Sequence, residues 1–307
     1  MNPSGAPRIV VVGSVMVDLI AYADPLPAVG QTVVGSAFHI GCGGKGANQA
    51  VTARRLGADV VFVGRVGGDV FGEMSIENFR EQGVDASRVQ ALEGESTGVA
   101  PIWVEADGSN RIIIVPGAND SLSAQDAVAE LDELTEADCL VCQLEVPLAT
   151  VAAALAVGAR LGATKILNPA PATPECVSLF GAADWVVPNE HEFALLWGTE
   201  PTDEAILAAA AAWGCGLIVT LGAEGAAATV GGEVVRSRPP SVVVADTTGA
   251  GDAFVGGLAY ALGLGLTIAA AIDFGNRCGA LSTQALGTQT SFPTREALER
   301  ASDLQPL

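Results

Sequence analysis

Basic residues are scarce in this 307-residue chain, which has 15 Lys and Arg against 35 Asp and Glu and a formal net charge of −20. Nucleic acids and anionic membrane surfaces are bound by basic faces, so this composition argues against both kinds of partner. An anionic small molecule would have to be bound by local groups, because the overall field repels it. We interpret the acidity as the surface of a soluble cytoplasmic protein.

Long apolar runs, zinc-type cysteine sets and secretory leaders are also missing. Glycine or charge interrupts the longest apolar stretches, so no transmembrane helix is expected, and Met1–Arg8 has no leader-like apolar core. Of six cysteines, Cys139 and Cys142 form one C-x-x-C within an apolar strand-like run, where alternation would separate their side chains. No second pair completes a metal site. We therefore expect six reduced structural thiols.

Short apolar runs alternate with helix-like stretches along most of the chain, starting with Arg8–Gly13. Two β-rich pieces, residues 15–41 and 97–116, contain no helix pattern, and Gln31–Ile40 is predicted as strand. We predict an α/β fold: a doubly wound, mostly parallel sheet with helices on both faces, plus a small inserted β-sheet lid. The main domain would comprise residues 1–14, 42–96 and 117–307, and the lid residues 15–41 and 97–116. Asp18 is expected just beyond the first parallel strand.

Residues 246–252, D-T-T-G-A-G-D, are the most informative stretch. We predict a strand ending over Ser241–Val244 and a helix from Phe254. Small residues at a helix N-terminus expose backbone N–H groups and form an anion site without a basic side chain. Asp252 would repel a bound phosphate unless it faces a hydroxyl and removes its proton. Taken alone, this stretch is better explained by a capped helix after a tight turn.

Residues 41–50, G-C-G-G-K-G-A-N-Q-A, match the dinucleotide fingerprint by letter. We reject a Rossmann dehydrogenase because these glycines do not follow the first parallel strand, and because Asp59 precedes the next strand instead of closing it. No P-loop motif occurs either. Lys45 and Asn48 would lie in the first turn of a helix and, with Asp18, suit the hydroxyls of a polyol. They are also compatible with an ordinary surface turn.

Together the two stretches resemble the two signatures of the ribokinase-like (PfkB) carbohydrate kinases, in the family's order and about 200 residues apart, and further similarity extends from Val12 to Pro293. The resemblance implies an ATP-dependent kinase acting on the 5-hydroxyl of D-ribose. It further implies Mg²⁺, a monovalent cation (K⁺), and a homodimer formed through the lid. The general base would be Asp252, and the anion hole would be the backbone of Gly249, Ala250, Gly251 and Asp252.

The same resemblance assigns further residues one by one. Sugar-binding positions are Met16, Asp18, Gly44, Lys45, Asn48, Glu145 and Asp252. Positions for the nucleotide and its Mg²⁺ are Asn189, Glu192, Thr220, Gly222, Gly225, Gly251 and Asn276. Ligands of the monovalent cation would be Asp246, Thr248, Ser282, Ala285, Gly287 and Ser291. Met16 departs from the family, which often has Asn there, so one hydrogen bond to a sugar hydroxyl is expected to be absent.

Several alternatives stay open at this point. Glu145 and Glu192 suit the acidic first turn of a helix, and Asn276 suits a polar position on one. His39 and His191 have no partner in the sequence and are interpreted as non-catalytic. The acceptor could instead be deoxyribose, a nucleoside or a hexose. A catalytically silent sugar-binding regulator on the same fold is the remaining alternative.

Overall fold

The computed structural model describes residues 5–107 and 109–303, so residues 1–4, 108 and 304–307 of the predicted domains lie outside it. Its strands, in chain order, are β1 Arg8–Val12, β2 Met16–Tyr22, β3 Ala37–Gly43, β4 Asp59–Gly67, β5 Asp85–Leu92, β6 Gly98–Val104, β7 Asn110–Ile112, β8 Cys139–Cys142, β9 Thr164–Leu167, β10 Trp185–Val186, β11 Gly216–Thr220, β12 Ala226–Val230 and β13 Glu233–Ser237. Its α-helices are α1 Lys45–Arg55, α2 Val70–Gln82, α3 Ala124–Asp132, α4 Leu148–Arg160, α5 Glu190–Trp197, α6 Asp203–Trp213, α7 Ala250–Gly263, α8 Ile268–Ser282 and α9 Arg295–Asp303.

Within these described ranges, nine strands form the main sheet in the order β13-β12-β11-β10-β9-β8-β1-β4-β5. All neighbours are parallel except β11–β12 and β12–β13. The central strand β1 is buried on both faces because it consists of apolar β-branched residues, as expected between two layers of helices. The predicted α/β fold with a mostly parallel sheet is confirmed.

Two apolar layers cover the main sheet. One contains side chains from α1, α7 and α8, and the other contains side chains from α3, α4 and α6. Cys139 belongs to the first layer and Cys142 to the second, so strand alternation does separate this pair. All six cysteines are free thiols.

The smaller sheet has four strands in the described residues, in the order β3-β2-β6-β7. Strands β2 and β6 are parallel, whereas β2–β3 and β6–β7 are antiparallel. β2 follows β1 after three residues, and β3 leads directly into α1. The small sheet is therefore attached at the carboxyl end of β1, where α/β proteins bind ligands.

Some predicted elements are wrong. Residues 31–36 form no strand, because β2 ends at Tyr22 and offers them no partner beyond a bond from the Ser36 N–H to the Tyr22 carbonyl. Asp18 does lie beyond the end of β1, as expected, inside β2 of the small sheet.

Residues 241–244 also form no strand, and Val243 is 85% exposed. The N–H groups of Ala245 and Asp246 donate instead to the Thr283 carbonyl after α8. Strand β5 was not predicted because its polar sequence, D-A-S-R-V-Q-A-L, lacks the apolar run that marks the other parallel strands.

Candidate active site

The N-terminus of α7 presents free backbone donors. Gly249 precedes the helix with φ 77°, the left-handed region that glycine enters without strain. The Ala250 N–H donates to Thr247 and that of Ala253 donates to Gly249. Within the described residues, the N–H groups of Gly251 and Asp252 have no acceptor. Free N–H groups and the helix dipole together make an anion site.

Two cavities meet at this helix N-terminus and share Gly251 and Thr220. The first, of about 220 Å³, is lined by charged side chains from three elements: Lys45, Glu192 and Asp252. The second, of about 450 Å³, is lined by small and apolar residues such as Pro240, Val242, Phe254 and Ala280. A group bound at Gly251 is therefore reachable from both cavities.

Asp252 is 8% exposed and accepts a hydrogen bond of 2.9 Å from Asn48 Nδ2. Asn48 is itself buried and does not line either cavity. The structure thus brings Asn48, predicted as a sugar ligand, directly to the predicted base.

Lys45 and Glu145 lie on the charged side of this site. Glu145 follows β8, and its Oε2 accepts from the Lys45 N–H at 2.9 Å and from Ser14 Oγ at 2.5 Å, so this carboxylate caps α1. Burial alone would lower the pKa of Lys45, but the carboxylates of Asp252, Glu145 and Glu192 raise it overall. Lys45 is therefore the cation that balances these three acids.

Asp18 points from β2 toward the same group of acids. Burial, together with the carboxylates of Glu145 and Asp252, raises the pKa of Asp18 to about 6. Gly43, its neighbour on β3, is required here because a Cβ would lie within 2.6 Å of the Asp18 carboxylate. Met16, buried two residues earlier on the same strand, projects from the same face of β2 as Asp18. Gly44, with φ 89°, makes the turn into α1.

Asn189 and Glu192 form a capping box at the start of α5, in which each side chain binds the other residue's backbone N–H at 2.8 Å. Both residues also line the first cavity. Burial raises the pKa of Glu192 above its usual range, although Asn189 and Lys45 oppose this. Asn189 and Glu192 therefore cap α5, and their position at the cavity is still compatible with binding a ligand.

The predicted nucleotide positions Thr220, Gly222, Gly225, Gly251 and Asn276 all line the second cavity. Asn276 is 5% exposed, and its Nδ2 donates to the Ser237 carbonyl at 2.8 Å. The Thr220–Gly225 turn lies at the carboxyl end of β11.

Hydrogen bonds connect only some of the residues predicted to hold a monovalent cation. Asp246 accepts from the Thr248 N–H and hydroxyl at 2.9 and 2.6 Å and from the Gly287 N–H at 3.0 Å. Burial alone would raise the pKa of Asp246, but these hydrogen bonds lower it overall. Ser282 donates to Gly279 within α8, and Ser291 donates to Thr288. Ala285 lies exposed in the same loop as Ser291.

Sequence reasoning missed several residues of the site. Asn168 and Val255 line the first cavity, and Ser14 binds Glu145. Gln49 donates to the second oxygen of Asp252 at 3.0 Å. Gln49 directly follows Asn48 in the glycine-rich signature, and Asn168 directly follows the parallel strand β9. These sequence positions could have identified both residues as candidates for the site.

Among the described residues, no group of three or more His, Cys, Asp or Glu side chains is arranged to hold a metal ion. No described helix is both long and apolar enough to cross a membrane.

Comparison with known proteins identifies the family. The model of the pfkB family of carbohydrate kinases matches residues 6–295. The chain is 40% identical over 294 residues to the deoxyribokinase of Salmonella typhimurium, covering 94% of this chain and 96% of that protein. It is 38% identical over 292 residues to the ribokinase of Bacillus subtilis, covering 95% and 98%.

A solved structure of Arabidopsis thaliana ribokinase, complexed with ribose and ATP, superposes with a TM-score of 0.87 at 31% identity. The match covers 96% of this chain and 98% of the plant protein. The helix N-terminus, the acid beside it and these matches agree. The chain belongs to the pfkB family of carbohydrate kinases, which are phosphotransferases with an alcohol acceptor.

Proposed function

We propose that this protein is an ATP-dependent pentose kinase that phosphorylates the 5-hydroxyl of D-ribose. The observation that carries the proposal is the position of Gly251 and Asp252. Gly251 borders both cavities, and Asp252 stands beside its free N–H in the charged one. The plant relative, which binds ribose and ATP, supports the assignment of the two cavities.

In this mechanism the acceptor occupies the charged cavity and the nucleotide the apolar one. Asp252 removes the proton of the primary hydroxyl as its oxygen bonds to the γ-phosphorus. The bond from the γ-phosphorus to the bridging oxygen breaks, and ADP leaves. Within the Gly249–Asp252 turn, the free backbone N–H groups of Gly251 and Asp252 stabilise the charge on the transferring phosphoryl group, whereas the Ala250 N–H is already bonded to Thr247. Asp18, Lys45 and Glu145 bind the remaining hydroxyls.

The residues at the start of α5 fit a magnesium ion. Mg²⁺ is commonly bound through one or two carboxylates, water and substrate phosphates. Glu192 uses Oε2 in the capping box, which leaves Oε1 outside that motif, and both Glu192 and Asn189 line the charged cavity. Glu192 and Asn189 would hold the ion there, and its charge would neutralise the phosphates.

A monovalent cation such as K⁺ fits the loop beside Asp246. The Asp246 carboxylate is tied to both Thr248 and Gly287, so it links the segment before α7 to the loop after α8. Carbonyl oxygens of Thr248, Ala285 and Gly287, with Ser282 and Ser291, would complete the site. Such an ion would stiffen the turn at Gly249.

A second acceptor, 2-deoxy-D-ribose, is favoured by Met16. Its thioether faces the acceptor side of β2, is 3% exposed and cannot donate a hydrogen bond to a hydroxyl. The similarity to a deoxyribokinase points the same way. We expect Met16→Asn to shift the ratio of kcat/KM for ribose over deoxyribose toward ribose by about tenfold. Met16→Leu, which keeps the apolar character, should leave the ratio within about twofold.

A homodimer through the small sheet is also proposed. Phe38 and Ile40 of β3 are 58% and 50% exposed, and Ile113 and Ile114 after β7 are 53% and 48% exposed. Clustered apolar side chains of this kind commonly form subunit interfaces. Light scattering should give twice the monomer mass, and Phe38→Asp should reduce it to the monomer mass. A monomeric wild type would remove this part of the proposal.

The decisive experiment measures ATP consumption with Mg²⁺ and either K⁺ or Na⁺ against ribose, deoxyribose, other sugars and nucleosides. Ribose turnover that rises with K⁺ supports the substrate and the cation together. Turnover with deoxyribose or a nucleoside alone keeps the mechanism and replaces the acceptor. Ribose binding without any turnover would contradict the proposal and favour the regulator.

A further inference from the structure

Asp252 is held by two amides from the adjacent helix α1. Asn48 Nδ2 donates to Oδ2 at 2.9 Å, and Gln49 Nε2 donates to Oδ1 at 3.0 Å. All three side chains are buried, with 4%, 1% and 8% exposure for Asn48, Gln49 and Asp252. Because each carboxylate oxygen has its own donor, the plane of the carboxylate is fixed relative to α1 as well as to its own helix α7.

From the Gln49 amide, hydrogen bonds continue into the core of the main sheet. Gln49 Nε2 also donates to Asn168 Oδ1 at 3.1 Å, and Gln49 Oε1 accepts from Gln143 Nε2 at 2.6 Å. An ionised carboxylate only accepts, so Gln49 must turn its nitrogen toward Asp252. That choice leaves Oε1 of Gln49 for Gln143 and determines the orientation of both amides.

Gln143 shows what this orientation requires. Its Oε1 points at Gly13 and Gly46 and is buried with no hydrogen-bond partner among the described residues. A Cβ on Gly13 would overlap this oxygen. An unpaired buried acceptor destabilises a fold, and an apolar side chain would avoid it. Stability alone therefore does not explain an amide chain ending here.

From the Asn48 amide, hydrogen bonds continue toward the C-terminal loop. Asn48 Oδ1 accepts from Gln289 Nε2 at 3.1 Å, and Gln289 Oε1 accepts from Asn78 Nδ2 of α2 at 2.7 Å. The same acceptor-only carboxylate determines this direction, so the amide donors of Asn78, Gln289 and Asn48 all point toward Asp252. Gln289 lies two residues after Gly287, whose N–H binds Asp246.

We infer that Gln49 and Gln289 are positioning residues for Asp252, Gln49 directly and Gln289 through Asn48. The inference rests on the proposed role of Asp252 as the general base. Neither glutamine lines either cavity, so neither is placed to bind the sugar or the nucleotide. Their loss should therefore lower kcat and leave both KM values nearly unchanged, since misorientation of the base acts on the chemical step.

The test replaces each amide by an apolar side chain of similar length. We expect Gln49→Met to lower kcat by about 10–10²-fold and Gln289→Met by about threefold to tenfold, with both KM values within about twofold of wild type. The matched control is Gln90→Met. Gln90 lies on the edge strand β5, bonds Glu130 and Arg65, and should show wild-type kcat.

A double-mutant cycle separates positioning from structural damage. If Gln49 acts through Asp252, Gln49→Met should have no further effect on the residual kcat of Asp252→Asn. An equal loss in both backgrounds, or a normal kcat in Gln49→Met, would overturn the inference. If thermal unfolding shows that Gln49→Met does not fold, Gln289→Met decides, and a normal kcat there overturns it.

The activity of the wild type separates a failure of the proposed function from a failure of the positioning role. A wild-type protein inactive on every acceptor refutes the proposed function. An active wild type whose Gln49 and Gln289 variants are equally active refutes positioning alone.

Discussion

The two cavities that meet at Gly251 differ in the residues that line them. The charged cavity is lined by Lys45, Glu192 and Asp252, with Asp18 and Glu145 close enough to affect pKa values. Among the described residues that line the apolar cavity, none is charged. A neutral sugar would thus be bound by charges, whereas a polyanion would be bound without a basic side chain.

The difference follows from what each ligand offers. Hydroxyls form strong, oriented hydrogen bonds with carboxylates and ammonium groups. In the proposed mechanism, a γ-phosphoryl group would lie at the free N–H groups of α7, where the helix dipole supplies positive charge. A lysine side chain on that side is not required, and the net charge of −20 is compatible with binding ATP.

Removing the base should have the largest effect on the acceptor side. Asp252→Asn keeps the shape and the position of the side chain but cannot accept the proton of the hydroxyl. We expect kcat to fall by about 10²–10⁴-fold, with measurable binding of both substrates. The matched control is Asp273→Asn on α8, whose carboxylate pairs with Arg277 away from the cavities. Turnover near wild type in Asp252→Asn would refute the assigned base.

Distorting the anion hole should have the next largest effect. Gly249→Ala forces a side chain into φ 77° and places a Cβ 3.0 Å from the Phe292 ring. We expect a loss of about 1–2 kcal/mol in unfolding free energy and a fall in kcat of about 10–10²-fold. Gly265→Ala is a close control because Gly265 also has φ 77° but open space around its Cβ. Equal kcat in the two variants would contradict a role for the Gly249 turn.

The charge of Asp18 makes a smaller, pH-dependent contribution. Its pKa is raised to about 6, so the folded state favours the protonated form, and this stabilisation is lost as pH rises through about 6. Asp18→Asn should therefore be more stable relative to wild type at pH 8 than at pH 4, by about 2–3 kcal/mol in urea unfolding. A stability difference that does not change with pH would contradict this electrostatic account. The control is Glu299→Gln, because Glu299 forms an exposed ion pair with Arg295.

The same charge should control acceptor binding in the wild type. Ionised Asp18 accepts sugar hydroxyls, and the protonated form accepts them more weakly. The KM for the pentose should rise as pH falls below about 6, and the KM for ATP should not follow it. This measurement separates the two cavities directly.

Narrowing the apolar cavity should have the smallest effect on chemistry. Ala280 lines the apolar cavity and not the charged one. Ala280→Phe should therefore raise the KM for ATP by roughly tenfold, because the larger side chain would remove space for the adenine, and should leave the KM for the sugar unchanged. A rise in the sugar KM instead would show that the cavities are assigned the wrong way round.

Local sequence predicted many of these parts correctly. Helix α5 begins at Glu190 and α6 ends at Trp213, as caps in the local sequence favour, because Asn189 and Thr202 cap their N-termini and glycines end them. Three small residues followed by an apolar run likewise marked the N-terminus of α7. Where the pattern was weak, as in β5 or residues 241–244, prediction failed, because those backbones depend on partners distant in sequence.

By itself the sequence indicated the class of chemistry, but only because residues 249–252, with the acid Asp252, occur together with residues 41–50; taken alone, residues 249–252 also fit a capped helix. Only the tertiary structure decided how that acid is held. Asn48 and Gln49 donate to Asp252 across more than 200 residues of sequence, and Gln289 donates to Asn48 across 241. Amide orientation depends on which acceptor lies opposite, and no local pattern encodes that neighbour.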